Sequence, residues 1–366
     1  MIRVRETDKI MIVTTLLLVV SGIVMVYSSS YIVAMKRFGN EYLFLRKHLF
    51  FTLIGLASFI GGMYFPYRLY RRLTYPILIL SIILLSLVFI NGVGVEAGGA
   101  RRWIHIGPIT FQPSEVAKLA LVIFLAYSLE AKQKLIKSFS PGFLPHLLIP
   151  AVPILLILSE PDFGTAMVLA AVTFLMMFIG GVRLPYLFSV VILALPALAY
   201  LIMNAGYRVK RMLIFLDPWK DPSGDGFQMV QSFLAFGSGG LFGVGLGEGR
   251  QKLFFLPEAH TDFILSILGE ELGFFGVAVV IILFICFLLC GIKAALKAPD
   301  LFGTYLAAGL TSLVTLQAVI NMGVVMGLLP PKGLPLPFIS YGGTSLVMSM
   351  TIAGIVLNIY RRGCEV

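Results

Sequence analysis

The chain has 366 residues, of which 58% are hydrophobic and only 13% are charged, and its mean hydropathy is +0.96. Soluble domains contain about 25% charged residues, so this composition excludes a soluble globular protein and predicts a polytopic membrane protein. The formal net charge of +10 comes from cations scattered in the loops between apolar runs, a pattern that indicates membrane topology and not a nucleic-acid-binding face.

Ten apolar runs approach the roughly 20 residues that a helix needs to cross the hydrocarbon core of a bilayer. The first run has no charged residue from Ile10 to Met35 and no cleavage signal after a short apolar core, so we interpret it as a retained helix and not as a signal peptide. We predict an all-α integral membrane protein with about ten transmembrane helices, forming a single polytopic membrane domain over residues 1–366. The predicted helices lie near 10–35, 48–65, 73–91, 114–130, 144–159, 163–181, 185–203, 262–291, 303–327 and 342–360.

An even number of helices places both chain termini on one side of the membrane. Short loops on that side are rich in lysine and arginine, which predicts that both termini are cytoplasmic. The opposite side has two long loops, 92–113 between helices 3 and 4 and 204–261 between helices 7 and 8, and a proline-rich loop at 328–341. Long structured loops are usually functional, so we expect an extracytoplasmic active face. The basic residues of the cytoplasmic side are Arg3, Arg5, Lys9, Arg68, Arg71, Arg72, Lys132, Lys134, Lys137, Arg183, Lys293, Lys297, Arg361 and Arg362.

The first outer loop leads into a helix with charged residues in its first two turns. Arg101 and Arg102 are adjacent cations, and Ser114 is a predicted N-cap for the helix that contains Glu115 and Lys118. At a spacing of three residues, the glutamate and the lysine share one helix face. They form either a neutralised ion pair that lets the helix insert or a pair whose lysine also holds a substrate phosphate.

A second constellation is the segment SEPDFGTA at 159–166, where Glu160 and Asp162 interrupt two apolar runs. Broken helices are tolerated inside membrane proteins where they line a cavity. The alternative is an ordinary turn in which Asp162 caps the following helix.

A third constellation lies in the stretch QKLFFLPEAHTDFILSILGEELGFFG at 251–276, which takes three carboxylates into an apolar helix. A carboxylate at the centre of a membrane helix costs about 2.5–3.5 kcal/mol on insertion scales, so each one is a functional candidate. Asp262 lies where the helix meets water and is the candidate base, although acidic residues at helix starts are also common for structural reasons. Glu270 and Glu271 lie deeper, and we expect them to form interior ion pairs or hydrogen-bonded helix contacts.

The fourth constellation is PPKGLPLPFISYGGTSL at 330–346. Its four prolines stiffen the chain, and Gly342 and Gly343 permit a tight turn into the last helix. Lys332 is its only charged residue, so the segment is either a rigid loop without chemistry or a loop that faces a substrate.

Two other patterns do not predict a cofactor site. The Gly-rich run at 237–249 lacks GxxxxGK[ST] and follows no predicted strand, so a nucleotide-binding loop is not expected. Cys286, Cys290 and Cys364 have neither CxxC nor Cys/His ligand spacing, so neither a metal centre nor a disulfide framework is predicted.

Cations gather on the outer face around a few carboxylates. This combination suits a phosphate-bearing substrate from which a proton must also be removed, and a lipid tail on that substrate would suit a membrane protein. The cations are Arg101, Arg102, Lys118, Arg208, Lys210, Arg211, Arg250, Lys252 and Lys332.

Five stretches together are similar to one known family. They follow one another over nearly the whole chain, which resembles the SEDS (shape, elongation, division, sporulation) proteins of bacteria, and their division branch more than their elongation branch. The stretches are GARRWI with FQPSEVAKLAL, EPDFGTA, FLDPWKDPSGDGFQ, FGSGGLFGVGLGEGRQKLFFLPEAHTDFI and LPPKGLPLPFISYGGTSL.

The resemblance implies the SEDS fold and a peptidoglycan glycosyltransferase that polymerises lipid II on the outer face of the bacterial cytoplasmic (inner) membrane. It implies that Asp262 is the catalytic residue and that Arg102, Glu115, Lys118 and Asp162 support the reaction. The implied partners are lipid II, a class B penicillin-binding protein, other division proteins and membrane lipids. A magnesium or manganese ion could stabilise the departing diphosphate. The substrate-binding candidates are Arg101, Arg102, Glu115, Lys118, Asp162, Arg250, Lys252, Lys332 and Ser340.

Three alternatives stay open. A lipid II flippase would also have many helices with polar groups at their breaks, but it would need polar groups through both leaflets, whereas most candidates lie on one side. A scaffold that only activates a partner enzyme would tolerate substitution of the outer carboxylates. An elongation or sporulation member of the same family would have the same activity.

Overall fold

The computed structural model describes residues 6–97, 100–107, 109–204, 206–224, 226–253, 255–257 and 259–365. Arg3 and Arg5, two of the basic residues used to predict orientation, lie outside the described residues. Helices dominate the described chain, as predicted. They are α1 (Glu6–Phe38), α2 (Leu43–Tyr64), α3 (Arg68–Arg72), α4 (Thr74–Leu87), α5 (Pro113–Ala131), α6 (Leu144–Ser159), α7 (Phe163–Ile179), α8 (Leu184–Met203), α9 (Gly206–Leu216), α10 (Phe227–Gly239), α11 (Ile264–Lys297), α12 (Leu301–Val325) and α13 (Gly343–Gly363).

Six of the described helical segments are long and apolar enough to cross a membrane. They correspond to α1, α2, α6 with the turn before it, α11, α12 and α13. Shorter apolar helices, among them α4 and α7, lie between them, and the buried α5 has charged residues at both ends. A multi-pass membrane protein is therefore confirmed, and the number of ten spans stays a prediction.

Both long loops that were predicted to face outward contain regular structure in their described residues. The loop 92–113 contains an antiparallel sheet that the sequence analysis did not predict, in which β1 (Gly94–Ala97) pairs with β2 (Ala100–Ile106) and β2 pairs with β3 (Ile109–Phe111). The pairing of β1 with β2 has a bulge at Arg102, because Val95 pairs with Trp103 and Glu96 with Arg101, so the regular alternation of side chains is interrupted at these two arginines. The loop 204–261 contains α9 and α10.

The core of the bundle is built around α5, which is buried along most of its length. Helix α12 packs against α5, α7 and α11, and α13 packs along α2. Glycines permit this last contact, because a Cβ atom added to Gly354 would lie 2.3 Å from the backbone oxygen of Phe59. Small residues at helix interfaces allow close backbone approach in membrane proteins, so α2 and α13 form one tightly packed pair.

Helix α11 is broken at Gly273, which has a φ of 67° and a ψ of −164°. The Gly-rich loop after α10 fills this break with backbone hydrogen bonds. Val244 N and Gly245 N donate to the carbonyls of Glu270 and Glu271 over 3.0 and 3.1 Å, and Phe274 N donates to the Gly240 carbonyl over 2.9 Å. Interrupted helices are tolerated at membrane depth where protein satisfies the freed backbone groups. The glycines of this loop therefore allow close backbone contact with α11.

Candidate functional site

The turn that contains Asp262 is held by its backbone. Helix α11 begins at Ile264, so Asp262 lies two residues before the helix and not, as was predicted, at its first residue. The carbonyls before the helix are engaged from outside it: Tyr341 N donates to His260 O over 2.9 Å, and Asn321 Nδ2 donates to Asp262 O over 2.8 Å. These bonds fix the turn and leave the half-buried Asp262 side chain at its surface.

The proline-rich loop 330–337 lies directly beside this turn. A Cβ atom added to Gly333 would lie 3.1 Å from Asp262 Oδ2, so the backbone of the loop passes the carboxylate. Ser340 joins the two segments, because its hydroxyl donates to Thr261 O over 2.6 Å and accepts from Leu336 N over 2.8 Å. The Ser340 hydroxyl, a substrate-binding candidate from the sequence, thus holds the loop against the turn.

Lys332 is the cation of this loop and adjoins Gly333. Its Nζ atom lies 5.3 Å from the centre of the Phe163 ring and 2.6 Å from Met167 Sδ. Burial lowers the pKa of Lys332 to about 8, because the charged ammonium is disfavoured away from water. A lysine in such surroundings can attract an anionic group strongly and can also release a proton near neutral pH.

Glu115 and Lys118 form the predicted ion pair, with Nζ 2.8 Å from Oε2. Both side chains are buried, and Lys118 Nζ also donates to Gln317 Oε1 over 2.7 Å. They line a small opening together with Gln317 and Ser349. The ion-pair interpretation is confirmed, and a role of Lys118 toward a substrate phosphate stays a prediction.

Asp162 caps α7, which confirms the capping interpretation. Its carboxylate accepts from Thr165 N over 3.1 Å and from Thr165 Oγ1 over 2.8 Å. Arg102 reaches the same helix break from β2, where its Nη2 donates to Pro161 O over 2.6 Å. The break adjoins loop 330–337, because a Cβ atom added to Gly164 would lie 2.9 Å from Leu334 Cγ. The structure thus brings Arg102, Asp162, Lys332 and Asp262 to one region.

Glu160 is a buried carboxyl group that the sequence analysis did not select as a site residue. Neither of its carboxyl oxygens has a hydrogen-bond partner in the part of the chain that the structure describes. Burial, with a smaller contribution from the Asp162 charge, raises the pKa of Glu160 to about 8, and Arg102 opposes this shift. The carboxyl group is therefore mostly protonated at neutral pH. An acidic residue directly before a proline at a helix break was the available sequence signal.

Lys252 does not lie exposed among the other cations, which corrects the arrangement expected for it. Lys252 is buried, with Nζ 2.6 Å from Glu271 Oε1, and the Ser28 hydroxyl donates to the same carboxylate over 2.7 Å. The side chain of Arg250 is exposed, and its backbone N donates to Glu270 Oε1 over 2.8 Å. A buried ammonium needs a close counter-ion, and Glu271 supplies it. The interior contacts expected for Glu270 and Glu271 are confirmed.

The remaining cations are peripheral or lie outside the described side chains. Arg101 is exposed and donates to Asn91 Oδ1 over 2.9 Å. Lys210 is exposed on α9. The side chains of Arg208 and Arg211 are outside the described part of the structure. Within the described residues, no group of three or more acidic, histidine or cysteine side chains is arranged to hold a metal ion.

A family model named for FtsW, RodA and SpoVE, with the description "Cell cycle protein", matches residues 8–363. The chain is 47% identical over 359 residues to a "Probable peptidoglycan glycosyltransferase FtsW" of Geobacter metallireducens, covering 98% of this chain and 96% of that protein. It is 43% identical over 354 residues to "Stage V sporulation protein E" of Bacillus subtilis, covering 97% of each chain.

Two solved structures have the same fold. One is a chain described under "Structural coordination of polymerization and crosslinking by a peptidoglycan synthase complex", with a TM-score of 0.76, 29% identity, and coverage of 96% of this chain and 98% of that chain. The other is the rod shape determining protein RodA of Thermus thermophilus, with a TM-score of 0.71, 28% identity, and coverage of 96% and 95%.

Proposed function

The chain belongs to the FtsW/RodA/SpoVE family of cell cycle proteins, and from this premise we propose that this peptidoglycan glycosyltransferase polymerises lipid II with Asp262 as its general base. One observation supports the assignment of Asp262 above all others. Its backbone is fixed in a turn before α11, while its carboxylate lies against the backbone of the loop that contains Lys332. A fixed base next to a loop that contains a cation suits glycosyl transfer from a diphosphate donor.

In the proposed reaction, Asp262 accepts the proton of the acceptor sugar's 4-hydroxyl group as that oxygen attacks the anomeric carbon of the donor. The new carbon–oxygen bond forms with inversion, the bond to the diphosphate breaks, and undecaprenyl diphosphate leaves with the electron pair. General base catalysis of this kind contributes about 10²–10⁴-fold. The remaining acceleration comes from positioning and from stabilisation of the diphosphate charge.

Lys332 is the described cation best placed to stabilise the leaving diphosphate. It adjoins Gly333, which lies next to Asp262, and its surroundings are apolar enough to lower its pKa. Charge interactions are stronger in such surroundings than in water. Arg102 lies at the neighbouring helix break and would add positive potential, while Lys118 would act from the buried opening beside Gln317.

The relatives named as FtsW are glycosyltransferases by name, which supports polymerisation over the flippase alternative and the division branch over the others. A structural neighbour comes from a peptidoglycan synthase complex, which supports assembly with a cross-linking partner. We propose that this partner is a class B penicillin-binding protein. We also propose that the protein, a single polytopic domain, has cytoplasmic termini and an outward-facing site.

Polymerisation of labelled lipid II by the purified protein, with and without the penicillin-binding partner, tests the proposal. Asp262→Asn keeps the shape of the side chain and removes the base, so we expect a loss of at least about 10²-fold in rate. Asp300→Asn is the matched control, because Asp300 also precedes a helix and caps α12 through Gly303 N, at the end of α12 opposite to Asn321, which contacts Asp262. Wild-type polymerisation by Asp262→Asn would overturn the assignment of the base.

A further inference from the structure

Two buried amide side chains on α12 lie against the site without belonging to the predicted set. Gln317 and Asn321 are four residues apart and therefore share one face of the helix. Gln317 Nε2 donates to Pro335 O over 2.9 Å. Asn321 Nδ2 donates to Leu334 O over 2.6 Å and to Asp262 O over 2.8 Å. One helix face thus contacts both the proline-rich loop and the turn of the proposed base.

The orientation of each amide follows from its partners. The Lys118 ammonium can donate hydrogen bonds but cannot accept them. The Gln317 side-chain oxygen must therefore face Lys118, and its NH₂ group must face the Pro335 carbonyl. Asn321 faces two carbonyl oxygens, which together use both protons of its NH₂ group. A rotation of either side-chain amide by 180° would place its oxygen against a backbone carbonyl oxygen. For Gln317 it would also place the NH₂ group against the Lys118 ammonium.

The loop depends on such side chains because its own backbone lacks donors. Pro330, Pro331, Pro335 and Pro337 have no N–H group, so the loop cannot form a regular ladder with its neighbours. Leu334 and Leu336 are nevertheless buried, and a buried carbonyl without a donor is destabilising. The α12 amides supply donors at Leu334 and Pro335, which fixes the path of the chain beside Gly333.

We propose that Gln317 and Asn321 are positioning residues that hold the Lys332 loop at a set distance from Asp262. Asn321 bonds the loop and the turn through a single NH₂ group, and Gln317 connects the loop to the buried Glu115–Lys118 pair. This inference rests on the proposed function. Reacting groups must be held closely, since a displacement of about 1 Å can reduce the rate about 10²-fold.

The test compares two asparagines in similar settings. Asn321→Leu removes the donors at nearly constant volume. Asn358→Leu is the matched control, because Asn358 is also buried and its Nδ2 also donates to a backbone carbonyl, that of Met63 over 2.7 Å, at the contact between α13 and α2. Purified variants are compared by lipid II polymerisation, from which kcat and KM are separated, and by thermal unfolding.

We expect Asn321→Leu to lower kcat at least about tenfold and to change the KM for lipid II less than about twofold, because misplacement affects the transition state more than ground-state binding. Asn358→Leu should lower the unfolding temperature comparably and retain kcat. An unchanged kcat in Asn321→Leu, or an equal loss in both variants, would overturn the positioning role.

A second variant protects the test against a folding defect. Gln317→Met removes the donor to Pro335 and the acceptor of Lys118 Nζ and keeps the length of the side chain, and we expect reduced kcat. If Asn321→Leu does not fold, unchanged kcat in Gln317→Met overturns the proposal. The failure of the proposed function and the failure of the positioning role can be told apart. Full activity of Asp262→Asn would refute Asp262 as the base. Loss of activity in Asp262→Asn together with full activity of the Gln317 and Asn321 variants would refute only the positioning role.

Discussion

At the scale of single residues, the region of the proposed site contains two groups whose pKa values are moved toward neutrality by burial. The pKa of Lys332 is lowered to about 8 and that of Glu160 is raised to about 8, both chiefly because the charged form loses its hydration. Strongly shifted groups in one region are typical of functional sites, although structural burial produces the same shifts. Substitutions that keep the size of the side chain and change only its ability to titrate distinguish a functional origin of these pKa shifts from structural burial.

Lys332→Arg should change the pH dependence of polymerisation. Below pH 8 the Lys332 ammonium is charged and can stabilise a diphosphate, whereas above pH 8 it is increasingly neutral, so the wild-type rate should fall as pH rises through about 8. Arginine keeps its charge to beyond about pH 12, so the polymerisation rate of the Lys332→Arg variant should not fall as pH rises through about 8. Initial rates measured between pH 6 and about 9.5 check this.

An exposed lysine provides the control for this experiment. The side chain of Lys220 is 81% exposed. The polymerisation rate of Lys220→Arg should therefore still fall as pH rises through about 8, as in the wild type. If Lys332→Arg shows the same alkaline fall as the wild type, another group causes it.

Glu160→Gln should stabilise the protein in a pH-dependent way. The pKa of Glu160 is about 8 when folded and 4.5 in the reference state, so between these values only the folded state holds the proton. Stability is therefore lost as pH rises from about 4.5 to about 8 and stays reduced above it, by a few kcal/mol at most. Unfolding temperatures of Glu160→Gln and wild type should agree near pH 5 and diverge by pH 8.

The exposed Glu96 on β1 supplies the comparison for Glu160. Glu96→Gln should change the unfolding temperature little at every pH. If the unfolding temperatures of Glu160→Gln and wild type differ by the same amount from pH 5 to about 9, the Glu160 carboxyl does not take up a proton on folding.

At the scale of elements, the break in α11 is the point where the Gly-rich loop and α1 meet this helix. The Gly-rich loop enters the break at Gly273, and the Lys252–Glu271 pair with Ser28 ties this loop to α11 and α1. Removing one member of a buried pair leaves an uncompensated charge, whereas replacing both by neutral groups is often harmless. This contact is therefore expected to determine stability more than chemistry.

Lys252→Met should lower the free energy of unfolding by about 3–5 kcal/mol. The double substitution Lys252→Met with Glu271→Leu should recover a large part of that loss, because no charge stays buried. The exposed pair Arg362–Glu365, at 3.0 Å, is the control, and Arg362→Met should cost less than about 1 kcal/mol. Unfolding in detergent measures all three. Normal stability combined with defective polymerisation in Lys252→Met would instead favour the substrate-binding role predicted from the sequence.

At the scale of the whole molecule, the orientation in the membrane decides which side meets the substrate. Short basic loops predict cytoplasmic termini, and Asp262, Lys332 and the β-sheet all lie in loops assigned to the opposite side. A site that uses an externally displayed lipid-linked sugar is consistent only with that orientation.

Cysteine labelling tests the orientation directly. In a chain whose Cys286, Cys290 and Cys364 are replaced by serine, Ser223→Cys lies in the exposed segment between α9 and α10, and Lys134→Cys lies in the exposed turn after α5. A membrane-impermeant maleimide should label Ser223→Cys in intact cells and Lys134→Cys only after permeabilisation. The reverse pattern would place the proposed site in the cytoplasm.

Sequence alone determined the features that depend on composition and local spacing. The apolar runs, the membrane class, the Glu115–Lys118 pair at three-residue spacing and the Asp162 cap follow from hydropathy and from contacts within one helical turn, and the motifs identified the family. The sheet in loop 92–113 and the start of α11 were missed because they depend on turns and on carbonyl bonds from distant segments.

Only the tertiary structure decided which partners the buried polar groups have. Glu271 meets Lys252 and also Ser28, which is 243 residues away, and Asn321 joins Asp262 to Leu334. A buried charge or amide is stabilised by a complementary group within about 3 Å. Tertiary packing decides which group that is, and spacing along the sequence does not. The carboxylates of 251–276 were visible in the sequence, but their separation into one candidate base and two structural contacts came from the packing of α1, α11 and α12.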